Sequence, residues 1–330
     1  MTALSRNASN TEPDRIVVLD SGYDSYEVEK SLFTGAGYRF DIYRGHGDRS
    51  ARLRFARDAA GILVRQSSVD RELFKALTHL RAVVCYGAGH ERIDLDAATS
   101  FGVRVANVGG YASHSVSDHA LALMFACSRA LFPGRDSLEG GFSAPPHPGL
   151  FELHDKTLGI IGLGRIGGAL CRKAQCLFER ILASDPYIPK ARFDLLGATE
   201  ATLDQVLEQS HVISLHCPLT PETRGLIGSA AFERMARHPI LINTARGGVV
   251  DETALLNALE RDLIHGAGLD VYEQEPVTAQ QQPILAHPRT VCTGHYAWYS
   301  DRALAELQRR AALNMLALLG GEIPADCLNP

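Results

Sequence analysis

The segment Gly162-Leu163-Gly164-Arg165-Ile166-Gly167 follows the apolar run 157–161 and precedes the helix-forming stretch 168–173, so its glycines stand at a strand-to-helix turn. Gly162 permits the tight turn, Gly164 lets a pyrophosphate approach the backbone, and Gly167 lets the helix pack on the strand. The phosphate charge would lie at the helix N-terminus, and that context makes the turn a dinucleotide site with Arg165 and Ile166 in it. Asp185 ends the next apolar run, 181–184, at about the twenty-residue offset expected of an acid that binds ribose hydroxyls. A turn acid at a strand end is the rival reading. An Asp here repels a 2′-phosphate and is followed by Pro186 rather than an Arg, which favours NAD over NADP.

At 330 residues the chain exceeds the usual size of one compact core, so two domains are expected. Its 45% hydrophobic and 22% charged residues are those of an ordinary soluble globular protein. A net charge of −5 leaves no basic footprint for nucleic acid. No apolar stretch reaches about 18 residues, and the polar start, residues 1–14, lacks the apolar core of a signal peptide. Neither a membrane partner nor export is expected, and the cytoplasm is the default. The seven cysteines include no C-x-x-C pair and suit a reducing compartment with free thiols. No metal is expected, because His216-Cys217 has no second ligand pair at zinc-like spacing.

Before the glycine turn, apolar runs at 16–19, 40–43, 61–64, 82–86 and 103–108 alternate with helix-like stretches such as 25–34 and 70–77. After it the rhythm resumes, with runs at 181–184, 212–215, 240–243, 267–271 and 290–293. This alternation predicts an α/β fold of two doubly wound parallel-sheet domains, with the dinucleotide domain in mid-chain. Between the two sets lies a strongly apolar helix, 113–131, with Ser115, Ser117 and Asp118 as candidate caps and enough length to bridge domains. The Pro- and Gly-rich stretch 133–149 is expected to be a mobile or dimer-contacting excursion. A final helix, about 300–319, is expected to pack back onto the first unit, which makes the outer domain discontinuous. The boundaries are 1–111 with 301–330 for a substrate domain and 112–300 for a Rossmann NAD domain.

Three runs lie at or beyond the C-terminal ends of predicted strands, where ligands bind in open parallel sheets. They are 241–248, 268–276 and 292–298, and together they supply Arg246, Glu275 and His295. That set suits reduction of a 2-keto acid, which needs a cation for the carboxylate, a proton donor for the carbonyl oxygen, and a partner to tune the donor.

These residues resemble the NAD-dependent D-isomer-specific 2-hydroxyacid dehydrogenases, on the motifs above, on 212–227 and on Asn-Thr-Ala-Arg-Gly-Gly-Val-Val-Asp-Glu at 243–252. Glu275-Pro276 and 295–300 look closest to the C-terminal-binding protein branch. The resemblance implies a Rossmann domain inserted in a discontinuous flavodoxin-like substrate domain, a homodimer, and a small anionic 2-keto or 2-hydroxy acid as substrate. It implies that Arg246 binds the carboxylate and polarises the keto group, that His295 gives the proton, and that Glu275 orients His295 and favours its protonated form. Gly87, Ala88 and Gly89 would offer backbone N–H groups to the carboxylate; Trp298, three residues after His295, reads equally as a core aromatic or as a pocket wall. Asp270 would sit near the nicotinamide carboxamide, and His216, Pro218, Thr223, Thr244 and Ala245 would line the cofactor cleft.

The chain also departs from the family. His90-Glu91-Arg92 replaces the usual residues before Ile93-Asp94, and Asn107-Val108-Gly109-Gly110 replaces Asn-Val-Pro, which loosens that strand if its glycines are not otherwise fixed. No Arg or Lys lies between Arg81 and Arg92, which argues against a phosphorylated substrate. The aromatic candidates Tyr86, Tyr111 and Trp298 tilt the reading toward a keto acid with an apolar or bulky side chain. The rival function is an NAD(H)-sensing, corepressor-like binding protein with little turnover.

Overall fold

In the computed structural model, which describes residues 13–45, 48–132 and 149–330, the apolar runs form two all-parallel sheets. The expectation for residues 133–149 falls, except for Gly149, outside the described residues. The chain divides into two compact units, Met1–Tyr111 with Asp301–Pro330, and Ala112–Ser300. Among the described residues no helix is long and apolar enough to cross a membrane.

The first unit holds β1 (Arg15–Val18), β2 (Arg39–Ile42), β3 (Ala59–Val64), β4 (Ala82–Cys85) and β5 (Arg104–Ala106), in the order β2-β1-β3-β4-β5. This is the flavodoxin-like order. Every residue of β3 and β4 is buried, which is why Ala-Ala-Gly-Ile-Leu-Val and Ala-Val-Val-Cys show no polar alternation. The terminal helix Asp301–Leu319 packs back on this sheet and buries Ala303, Leu307, Ala311 and Met315. A Cβ at Gly61 would lie 2.5 Å from the Met315 sulfur, so any larger residue there would have to displace the Met315 side chain of this helix. The tail then covers the open edge of β5: Leu328 N–H donates to Val105 O at 2.8 Å, and Val105 N–H donates to Asn329 Oδ1 at 2.7 Å. Gly109 and Gly110 do not leave a slack strand, since the Arg310 guanidinium donates to Gly109 O at 2.8 Å.

The second unit holds β6 (Thr157–Ile161), β7 (Arg180–Ser184), β8 (Thr199–Glu200), β9 (Val212–Leu215), β10 (Ile240–Asn243), β11 (Gly266–Leu269) and β12 (Thr290–Cys292). Their order, β12-β11-β10-β9-β6-β7-β8, is the Rossmann order extended by one strand, and it reverses between β6 and β9. Ligands bind at the C-terminal ends of the strands flanking such a reversal. The helix Ser113–Ser128 belongs to this unit, where it packs on the helix Arg165–Ala174 and on β10, β11 and β12. It starts at the N-cap Ala112 without a side-chain cap, so Ser115, Ser117 and Asp118 are not its caps. They lie inside the first turns, where other partners claim them: Ser117 donates to Ser113 O at 2.8 Å, and Asp118 pairs with Lys173 at 2.7 Å.

Candidate active site

The glycine turn follows the geometry its sequence predicts. Gly162 has φ +91°, and a Cβ there would lie 2.7 Å from Cys217 N, because the end of β9 presses against the turn. A Cβ at Gly167 would lie 2.1 Å from Gly162 O, so the helix Arg165–Ala174 sits directly on the strand end. Gly164 differs: a Cβ there would meet nothing within 4 Å, and this N-cap residue brings no side-chain cap to the helix. The open face and the first-turn N–H groups together suit an anion. Asp185 is held beside the turn, accepting from Leu163 N–H at 2.8 Å and from Tyr187 N–H at 3.0 Å.

The ends of β9 and β10 add two buried polar atoms without partners, His216 Nδ1 and Thr244 Oγ1. The other ring nitrogen of His216 meets Ser214 Oγ at 2.9 Å, and burial pushes the imidazole down to about 4, which leaves it neutral at ordinary pH. Buried polar atoms of native proteins are seldom left unpaired, so these two suit hydrogen bonds to the polar groups of a ligand. With the open face of Gly164 they make residues that fit a dinucleotide. Thr223 instead secures the neighbouring loop, donating to Pro218 O at 2.6 Å and accepting from Thr220 N–H at 2.8 Å. Asn243 was not singled out in the sequence, yet it shapes the next turn: it accepts from Ala245 N–H at 3.1 Å and donates to Arg246 O at 3.0 Å. An Asn ending an apolar strand before a Gly-rich turn is the signal that could have found it.

That turn brings the partly buried Arg246 toward the loop after β11. Gly247 makes the approach possible, because a Cβ there would lie 1.9 Å from Tyr272 C and 2.0 Å from Tyr272 O. Glu275 accepts from Tyr272 N–H at 3.1 Å, and its other oxygen meets His295 Nδ1 at 2.5 Å. Partial burial pushes the Glu275 carboxyl up, but the hydrogen bond and charge of His295, the Tyr272 N–H and the nearby Arg246 charge outweigh it. The net direction is down, and Glu275 stays ionised. The two side chains are 32% and 44% exposed, so the pair opens to solvent on one side. Arg246, Glu275 and His295 thus follow the ends of β10, β11 and β12, with Glu275 bonded to His295 and close enough to Arg246 to feel its charge.

His295 stands in the left-handed backbone region at φ +56°, which costs a residue with a Cβ about 1–2 kcal/mol. Its neighbours hold it there. Its N–H donates to Asp270 O at 2.8 Å, and its carbonyl accepts from the Trp298 indole at 3.1 Å. The buried Asp270 carboxylate is committed to the same loop, accepting from Thr293 OH at 2.5 Å, Tyr296 N–H at 3.1 Å and Ala297 N–H at 2.9 Å. His119 also escaped the sequence reading. It meets Thr293 Oγ1 at 2.9 Å, and nothing local marks one histidine on an apolar helix.

In the first unit, Gly87, Ala88 and Gly89 follow β4 with their carbonyls engaged. Val108 N–H donates to Gly87 O at 2.9 Å, Asn107 to Ala88 O at 2.7 Å, and the Cys85 thiol to Gly89 O at 3.1 Å. This fixes the loop without using its N–H groups. Tyr86 does not line a surface. It is 5% exposed and donates to the buried Glu29 at 2.7 Å, so it is withdrawn as a pocket aromatic.

Comparison with known proteins bears on these residues. The family described as D-isomer specific 2-hydroxyacid dehydrogenase, NAD binding domain, matches residues 121–297. A glyoxylate reductase of Korarchaeum cryptofilum is 39% identical over 266 residues, covering 79% of this chain and 80% of that protein. A D-3-phosphoglycerate dehydrogenase of Archaeoglobus fulgidus is 38% identical over 264 residues, covering 79% of this chain but 48% of the relative. The chain therefore spans about half the length of that relative. Among solved structures, a glyoxylate reductase from Paecilomyes thermophila superimposes with a TM-score of 0.85 at 26% identity, covering 96% of this chain and 99% of that one.

Proposed function

Because this chain belongs to the D-isomer specific 2-hydroxyacid dehydrogenase family, we propose that it reversibly reduces a small 2-keto acid to the D-2-hydroxy acid, with His295 as proton donor. The 2.5 Å contact between Glu275 and His295, with the Arg246 charge close by, is the observation that carries the reading. NADH, when bound, supplies the hydride that adds to the carbonyl carbon. Arg246 binds the substrate carboxylate and draws electron density toward the carbonyl oxygen, because its planar fork engages a carboxylate at two points. His295 passes its proton to that oxygen as the C=O bond becomes C–OH, and in the reverse direction it takes the proton back. Glu275 holds the ring by Nδ1, so the proton transferred is the one on Nε2, and its negative charge offsets the cationic form of the ring. The Gly87–Gly89 N–H groups are proposed carboxylate donors, and Trp298 a pocket wall.

Asp185 is proposed to receive the ribose hydroxyls and to disfavour a 2′-phosphate, hence NAD over NADP. A homodimer is also proposed. Phe125, Leu131 and Phe132 are exposed around the end of the helix Ser113–Ser128 and are the residues such an interface would cover. The test of the function is NADH oxidation followed with glyoxylate, hydroxypyruvate, pyruvate, phenylpyruvate and 4-methylthio-2-oxobutanoate. Turnover of at least one is expected. No turnover of any, with NADH bound, would favour the sensing protein instead.

A further inference from the structure

The loop that carries His295 is pinned to one face of the helix Ser113–Ser128 on both sides of the histidine. On one side Thr293 Oγ1 lies 2.9 Å from His119 Nε2. On the other, Ser300 Oγ lies 2.9 Å from Ser115 Oγ. Residues 115 and 119 are four apart and so share one helix face one turn apart. The roles at the first contact can be settled. Thr293 has one hydroxyl proton, and its 2.5 Å partner Asp270 Oδ1 is a carboxylate oxygen that can only accept. His119 Nε2 must therefore carry the hydrogen and donate it to Thr293.

This places His119 at the start of a relay of fixed groups. His119 holds Thr293, and Thr293 holds Asp270, which in turn accepts the N–H groups of Tyr296 and Ala297 through its side chain and that of His295 through its carbonyl. Tyr296 also sets its ring edge-on to His119, with centroids 5.3 Å apart. The left-handed backbone of His295 persists only if its surroundings over-determine it, and these contacts are what do so. The same helix is fixed to the one that starts at the glycine turn. Lys173 donates to His114 O at 2.9 Å, and to Ser117 Oγ and Asp118 Oδ1 at 2.7 Å.

We propose that His119 and Ser115 are positioning residues that set where His295 presents its ring, and that their helix registers the proton donor against the glycine turn. The proposal rests on the reading of His295 as the acid. His119 touches none of the reacting groups, and its effect is confined to the orientation of a residue that does.

The test compares His119→Phe, which keeps a ring but removes the donor, with His119→Gln, which returns an N–H near the position of Nε2. His119→Phe is expected to lower kcat for keto-acid reduction by about 10- to 100-fold, while Kd for NADH, read by nicotinamide fluorescence, stays within twofold. His119→Gln is expected to recover most of the loss. An unchanged kcat in His119→Phe, or parallel losses of kcat and NADH binding, would overturn the proposal. If His119→Phe does not fold, Thr293→Val removes the next group in the relay and is read in the same way. In a His295→Gln background the His119→Phe change should cost no further activity, because the group being positioned is gone. A full additional loss there defeats the proposal. Wild-type kcat in His295→Gln alone defeats the reading of His295 instead, so the two failures are distinct.

Discussion

Gly247→Ala is the substitution whose cost the structure fixes most directly. The added Cβ would stand 1.9 Å from the Tyr272 carbonyl carbon and 2.0 Å from its oxygen, and both are backbone atoms that cannot rotate away. To restore an ordinary contact of 3.4 Å, the Arg246 turn and the loop that leads to Glu275 must part by about 1.5 Å. A displacement of about 1 Å between groups that act together costs about 100-fold in rate, or about 2.7 kcal/mol. The expected result is a fall of at least that size in kcat/KM for the best 2-keto acid, since the cation and the proton donor would no longer converge on one substrate. NADH affinity should fall less than kcat/KM, because the glycine turn lies on another strand and only Thr244 and Ala245 of the proposed cofactor cleft share the displaced turn. Overpacking should also lower the thermal stability, by about 1–3 kcal/mol. The assay is steady-state NADH oxidation with a fluorescence titration of NADH and a melting curve on the same preparation. A folded Gly247→Ala enzyme with kcat/KM within twofold of the parent would refute the argument that this contact sets the spacing of Arg246 and Glu275.

Arg246→Ala should cost at least about 3 kcal/mol of transition-state stabilisation, the scale of a lost charge-assisted contact, and near-normal kcat/KM would remove Arg246 from the site. The Glu275 carboxyl sits below its ordinary range in the fold, so its contribution to stability is present above the unfolded value of about 4.3 and is lost as pH falls through the lower folded value. Parent and Glu275→Gln melting temperatures should therefore differ at neutral pH and converge in acid, whereas a gap that does not change with pH would contradict the pairing. Asp185→Ala should raise the ratio of kcat/KM with NADPH to that with NADH by about tenfold or more, and an unchanged ratio would show that Asp185 does not read the ribose.

Much of the fold was legible because a buried parallel strand announces itself. Val212–Leu215 and Ile240–Asn243 are short, fully buried runs in which only Ser214 and Asn243 are polar, and their bounds follow from the residues alone. Thr199–Glu200 carries no such mark. It is a two-residue edge strand with both residues exposed, and only its neighbour β7 defines it. The candidate site could be proposed from sequence for a related reason: the three glycines, Arg246, Glu275 and His295 all follow strand ends, where a parallel sheet gathers ligand groups. What stayed hidden depends on partners distant in sequence. Ser115, Ser117 and Asp118 read as caps until Ser300 and Lys173 are in place. Tyr86 read as a pocket aromatic, and the buried Glu29 that turns it inward lies 57 residues away. The need for glycine at 247 rests on Tyr272, which no local pattern connects to it.

The central claim is that His295 supplies the proton to the carbonyl oxygen while Glu275 holds its ring. It is tested most directly by the pH dependence of kcat/KM in both directions for the parent and for His295→Gln. The account predicts that keto-acid reduction by the parent prefers a lower pH than hydroxy-acid oxidation, because one direction consumes the proton of His295 and the other returns it. It also predicts that His295→Gln loses at least about 100-fold in both directions, together with that opposition of pH profiles. Identical profiles in the two directions for the parent, or a His295→Gln enzyme of near-parental rate, would contradict it.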